Sequence, residues 1–137
     1  MENYSDLRVL YLEDETLVAL DGELTLGQIG FKDIVSAASL KQVKRAGDEH
    51  FDLAILDIHL GSNVTSFELA RDLIADGTAV VFLTGYNAKE LPGEFHAYPV
   101  VQKPMNREDL EAALAQVLGD NTSAPSGGTS DATAAVR

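Results

Sequence analysis

Short apolar runs alternate with helical stretches five times along this 137-residue chain, and that rhythm constrains the fold more than any other feature. The runs are Arg8 to Leu12, Asp33 to Ala37, Leu53 to Leu56, Ala79 to Leu83 and Pro99 to Gln102. Short runs of this kind, with little polar alternation, read as strands covered on both faces. Strands regularly interleaved with helices imply a parallel sheet with helices on both sides, an α/β fold. In such sheets ligands bind beyond the carboxyl ends of the strands, where strand order reverses. Glu13 and Asp14, Asp57, Thr84 and Lys103 stand just there, so every strand but the second delivers polar groups to one edge.

The helical stretches carry their own punctuation. The first is expected from Thr16 to Ile29, closed by Gly30 in a left-handed conformation, with Val18, Gly22, Leu26 and Ile29 on one face. The second is expected from Leu40 to Ala46, stopped near Gly47. Thr65 followed by Glu68 resembles a capping box opening the third, which turns Phe67, Ala70, Leu73 and Ile74 inward and stops at Gly77. Between the fourth and fifth strands, Asn87 to Leu91 allows barely a turn of helix before Pro92-Gly93 breaks it. Asn106 caps the last helix, with Asp109 near its positive end, an apolar stripe of Leu110, Leu114, Val117 and Leu118, and Gly119 as its stop. One folded unit is expected over residues 1–119. Residues 120–137, rich in Ser, Thr, Gly, Ala, Asp and Pro, are expected to be a disordered tail.

Composition excludes several functions. The absence of cysteine removes disulfides, zinc–thiolate sites and cysteine nucleophiles. A net charge of −12 repels phosphate backbones, so no nucleic-acid partner is expected, although acidity also simply keeps proteins dispersed. No apolar run is long enough for a bilayer and the N-terminus lacks a signal peptide's pattern, so no membrane association and a cytoplasmic location are expected.

Carboxylates gathered at one edge repel one another unless a cation joins them, and a set of hard oxygen donors suits Mg²⁺. Asp57, at the tip of the central strand, is then a candidate nucleophile that takes a phosphoryl group as an aspartyl phosphate. The Thr84 hydroxyl can donate to a phosphoryl oxygen and the Lys103 ammonium can pair with another. Gly85 leaves the approach open, and Pro104 holds Lys103 extended, with a cis peptide suspected between them.

Glu13-Asp14, Asp57, Thr84 and Lys103-Pro104, in that order and spacing, resemble the receiver domains of two-component signalling from about Arg8 to Gly119. The resemblance implies a flavodoxin-like, doubly wound five-stranded parallel sheet of order 2-1-3-4-5, here with a short or broken fourth helix. It implies Asp57 as phosphoacceptor, Asp14 as direct Mg²⁺ ligand, Glu13 as its water-mediated partner, and the backbone carbonyl of His59 as a further ligand. Thr84 and Lys103 become the pair that senses the phosphoryl group. The implied partners are a sensor histidine kinase or phosphotransfer protein and a downstream protein target, with a homodimer as a further possibility. The receiver is then no enzyme beyond assisting its own phosphorylation and dephosphorylation, and it signals without an output domain. Phe82-Leu83-Thr84-Gly85-Tyr86 is similar to the Phe-x-Thr-Gly-Tyr motif of alphaproteobacterial single-domain receivers linked to general stress signalling. Most receivers carry an aromatic three residues before the lysine; here Val100 stands there, and Tyr86 is the candidate moving aromatic instead.

Plainer readings stand beside these. Asp57 alone is a turn aspartate, Lys103 alone a surface lysine, Glu13-Asp14-Glu15 a set of acids at a helix start, and Tyr86 a half-buried packing residue. His50, His59 and His96 share no metal-ligand spacing, so their imidazoles are incidental. Leu17, Leu20 and Leu24 form a second stripe on the first helix, either covered by neighbours or open as a kinase-docking or dimer patch. Two rival functions remain: a pseudo-receiver that binds partners without taking phosphate, and a phosphatase of the haloacid dehalogenase type. The latter wants an acid two residues after the nucleophile, where this chain has His59.

Overall fold

All five apolar runs form strands of one parallel sheet. The computed structural model describes residues 4–46, 49–61, 63–85 and 91–119, so the tail expected over 120–137 lies outside the described residues. The strands are β1 (Arg8–Leu12), β2 (Asp33–Ala37), β3 (Leu53–Asp57), β4 (Ala79–Thr84) and β5 (Val100–Gln102), in spatial order β2-β1-β3-β4-β5. The helices are α1 (Thr16–Ile29), α2 (Leu40–Arg45), α3 (Phe67–Ala75) and α4 (Arg107–Leu118). This is the flavodoxin-like fold expected, with four α-helices among the described residues.

Side chains alternate across the sheet, which explains the continuous apolar runs. Val9, Tyr11, Leu53, Ile55, Val81 and Leu83 point to one face, where Leu26 of α1 and Leu110 and Leu114 of α4 close the core. Leu10, Leu12, Ala54, Leu56, Val80 and Phe82 point to the other, under Ala70 of α3 and partly buried residues of α2. Gly22 is needed on the first face: a Cβ there meets the Tyr11 hydroxyl oxygen at 2.0 Å and its ring at 2.5 Å. That close approach lets the Tyr11 hydroxyl donate to the Val18 carbonyl at 3.3 Å.

Helix ends follow the sequence in part. Gly30, at φ 131°, closes α1 as expected: its N–H donates to the carbonyls of Leu26 and Gly27, and Phe31 N–H donates to Leu26. Asn106 caps α4, its side chain accepting from Asp109 N–H at 2.8 Å. Small shifts occur elsewhere, since α2 ends at Arg45 and β5 begins at Val100. The capping box at α3 does not form. Thr65 is drawn into an isolated antiparallel bridge with His59, so Ser66 takes the cap position, buried and with no partner for its hydroxyl.

Of the broken segment before β5, residues 87–90 lie outside the described residues. Beyond Pro92 the chain makes a 3₁₀ turn, Gly93–Phe95, in place of a regular helix. Its Phe95 is buried against Phe67, Phe82 and Tyr98, with ring centroids 5.1–6.2 Å apart. Arg71 of α3 lies over the Phe95 ring and forms a two-pronged ion pair with Glu94, fastening the turn to α3.

Candidate functional site

Strand order reverses between β1, which continues to β2 on one side, and β3, which continues to β4 on the other. Leu12 pairs with Leu56 there, and one residue further on come Glu13 and Asp57. Glu13 N–H is held by the carbonyl of Ala37, the end of β2. On the far side, β4 ends in Thr84, whose carbonyl accepts from Lys103 N–H at 2.8 Å. Parallel pairing therefore carries four distant stretches of sequence to one edge, the crevice where α/β sheets bind ligands.

Glu13, Asp14 and Asp57 each place a carboxylate oxygen within 4.8 Å of the others; Glu13 and Asp57 are buried and Asp14 is exposed. Lys103 Nζ donates to Asp57 Oδ2 at 3.0 Å and to both oxygens of Glu13 at 3.3 Å. The Lys103–Pro104 peptide is cis. Thr84 is buried at the end of β4, and Gly85 leaves space beside Lys103, where an added Cβ meets only Lys103 Cε at 3.9 Å. His59 lies two residues past Asp57 with its side chain exposed. Tyr86 lies outside the described residues.

The electrostatics follow from crowding. Burial drives Asp57 from its ordinary 3.8 up to about 7; the Lys103 hydrogen bond opposes this, while the Glu13 charge and a hydrogen bond with Asp14 add to it. Burial lowers Lys103, but its contacts with Asp57 and Glu13 win and hold its pKa above the usual lysine value. Glu13 and Asp57 thus share a single ammonium, with the Asp14 carboxylate beside them, and burial outweighs the pairing at Asp57. A hard divalent cation suits this donor set: all oxygen, tightly grouped, short of positive charge and open on the Asp14 side. The cluster is compatible with Mg²⁺.

Sequence reading did not assign Glu15 to this site. Its carboxylate reaches within 3.8 Å of Lys103 Nζ, and its N–H donates to Glu13 Oε2 at 3.1 Å. The available signal was its adjacency to Glu13-Asp14 at the end of the same strand. The Leu17, Leu20 and Leu24 stripe, left open between covered and free, is exposed at 79%, 53% and 66%.

No family model and no curated protein matches the sequence. Solved structures do match. SdrG from Sphingomonas melonis Fr1 is 30% identical, with a TM-score of 0.71 over 82% of this chain and 96% of that one. The BeF3-activated conformation of SdrG from Pseudomonas melonis Fr1 is also 30% identical, with a TM-score of 0.69 over 86% of this chain and 99% of that one. The PhyR response regulator REC domain of Erythrobacter litoralis, at 23% identity and a TM-score of 0.69 over 88% of this chain and 96% of that one, shows the shared fold.

Proposed function

The chain belongs to the response-regulator receiver family, and from that premise we propose that it is a phosphoacceptor switch in two-component signalling, modified on Asp57. The observation that carries the reading is the contact of Asp57, Glu13 and Lys103 at the strand-order reversal, with Asp14 in the same cluster. Asp14, Glu13, Asp57 and the His59 backbone carbonyl are the groups that would hold Mg²⁺. When bound, the metal offsets the charge of the carboxylates and of the incoming phosphoryl oxygens.

In the transfer an Asp57 carboxylate oxygen attacks phosphorus and a new O–P bond forms. The P–N bond of a donor phosphohistidine breaks, and the imidazole nitrogen keeps the electron pair. Lys103, already within 3.0 Å of Asp57, follows the added charge, and the Thr84 hydroxyl donates to another phosphoryl oxygen. Those two side chains end β4 and follow β5, so their shift alters the surface presented to a protein target. The Phe82-to-Gly85 stretch and the absence of an aromatic at Val100 support placing the chain with the Phe-x-Thr-Gly-Tyr receivers of stress signalling, where Tyr86 takes the moving role.

The proposed partner that delivers the phosphoryl group is a histidine kinase or phosphotransfer protein, seated over the exposed leucines of α1 next to the site. No helix among the described residues is long and apolar enough to cross a membrane. The pseudo-receiver alternative loses ground because Asp57, Lys103 and the acids all meet; the phosphatase alternative loses it because His59 stands where its acid belongs.

A test is titration with beryllium fluoride, a phosphoryl mimic, followed by amide resonances of Thr84 and Lys103. Large shifts that need Mg²⁺ and vanish in Asp57→Asn are expected; no shift in a folded protein with Mg²⁺ present contradicts the reading.

A further inference from the structure

The cluster holds one more carboxylate than metal binding and phosphoryl transfer employ. Glu15 stands at the N-cap position of α1, two residues beyond Glu13, with no capping hydrogen bond from its side chain. Its side chain is 64% exposed, that of Lys103 15%, and that of Glu13 fully buried. Glu15 therefore stands on the solvent side of Lys103, at 3.8 Å, while Asp57 and Glu13 hold the same ammonium from within the fold at 3.0 and 3.3 Å. Its backbone is held by the N–H donated to Glu13, and its carboxylate reaches Lys103 from the exposed side.

Lys103 answers four carboxylates: Glu13, Glu15 and Asp57 in contact, and Asp14 in the cluster. A divalent cation together with Lys103 offsets three of these charges. Of the three carboxylates in contact with Lys103, Glu15 is the exposed one, so the remaining negative charge faces the solvent from which an anionic donor arrives. We infer that Glu15 is a specificity-determining residue that selects phosphoryl donors by charge, disfavouring free dianionic acyl phosphates relative to donors of lower charge. A phosphohistidine carried by a docked protein overcomes the repulsion through its contacts elsewhere, whereas a small acyl phosphate has none. The switch is thereby insulated from acyl phosphates in solution. This inference rests on the phosphoacceptor reading of Asp57.

The chemistry is the same for both donor types. An Asp57 oxygen forms the new O–P bond; an acyl phosphate loses its carboxylate with the electron pair of the broken P–O bond. Phosphoramidate, a monoanion with a protonated nitrogen, loses ammonia with the electron pair of the broken P–N bond. The donors differ by about one unit of charge at the rim. For a charge about 7 Å from Glu15 in a water-dominated setting, one unit changes the rate by roughly 2–3-fold at low salt, and less as salt screens it.

The test measures phosphorylation rates of the full chain with Mg²⁺, using acetyl phosphate and phosphoramidate at low and high salt, read by intact mass. Glu15→Gln should raise the acetyl phosphate to phosphoramidate rate ratio roughly 2–3-fold, and Glu15→Lys further, with both gains fading near 1 M salt. Glu15→Asp should keep the wild-type ratio. An unchanged ratio in Glu15→Gln and Glu15→Lys, equal changes with both donors, or a gain that survives high salt overturns the role of Glu15 alone. Wild-type protein that accepts a phosphoryl group from neither donor overturns this inference; one that also stays unmodified by a phosphorylated histidine kinase overturns the phosphoacceptor reading as well.

Discussion

Replacing Asp57 by Asn should make the metal-free protein more stable above neutral pH, because it removes a charge that the fold buries at a cost. Asp57 is 2% exposed, and its pKa rises from 3.8 to about 7 in the folded state. Between those values the native state holds a proton that the unfolded chain has released. Stability therefore falls as pH rises through this window, and levels off above about 7. Each tenfold change in proton affinity corresponds to about 1.4 kcal/mol, so full conversion gives about 4 kcal/mol. Water reaching the cluster past exposed Asp14 screens part of this, leaving on the order of 2–4 kcal/mol. Asn still accepts from Lys103 through its side-chain oxygen, so the variant keeps that hydrogen bond without the charge. The assay is urea unfolding of wild type and Asp57→Asn from pH 4 to 8.5 in chelator, comparing differences so that other titrating groups cancel. The variant should match wild type near pH 4 and gain steadily toward pH 7. A flat difference, or a variant less stable at pH 8, would mean that the Lys103 pairing outweighs burial and that the reasoning is wrong.

Other outcomes depend on particular contacts. Gly22→Ala forces a Cβ into Tyr11 at 2.0–2.8 Å and should cost roughly 1–3 kcal/mol or more by urea unfolding, with Tyr11→Leu in the same chain recovering part of the loss. The two caps should diverge: Asn106→Ala should cost about 1 kcal/mol, whereas Ser66→Ala, which removes a buried hydroxyl without a partner, should be neutral or stabilising. Leu20→Glu should cut phosphotransfer from a cognate kinase roughly tenfold while small-donor phosphorylation persists; survival of both, or equal loss of both, contradicts a docking role for the α1 stripe.

Much of this was legible in the sequence because the signals were local. Strand ends coincided with the first charged or hydroxyl residue after an apolar run, and α1 lies where Thr16 and Gly30 delimit it. The site was legible for the same reason, since each polar residue closing β1, β3 and β4 must emerge at one edge of a parallel sheet. Lys103 followed from its place after β5. What failed depended on tertiary competition. Thr65 and Glu68 satisfy the capping pattern, but pairing of Thr65 with His59 removes the cap. The burial of Phe95, in the turn before β5, arises from rings on three other segments and has no local period. Exposure of the α1 leucines was undecidable from spacing, because apolar residues on both faces of a helix do not say which face is covered.

The central claim is that Asp57 accepts a phosphoryl group in a metal-dependent reaction. The most direct measurement is intact mass after incubation with phosphoramidate and Mg²⁺, for wild type, Asp57→Asn and wild type in chelator. A single phosphoryl adduct on wild type, labile at high pH and missing from the other two, is the predicted result. An adduct that persists in Asp57→Asn, or a folded wild type unmodified even by a phosphorylated kinase, would contradict the account.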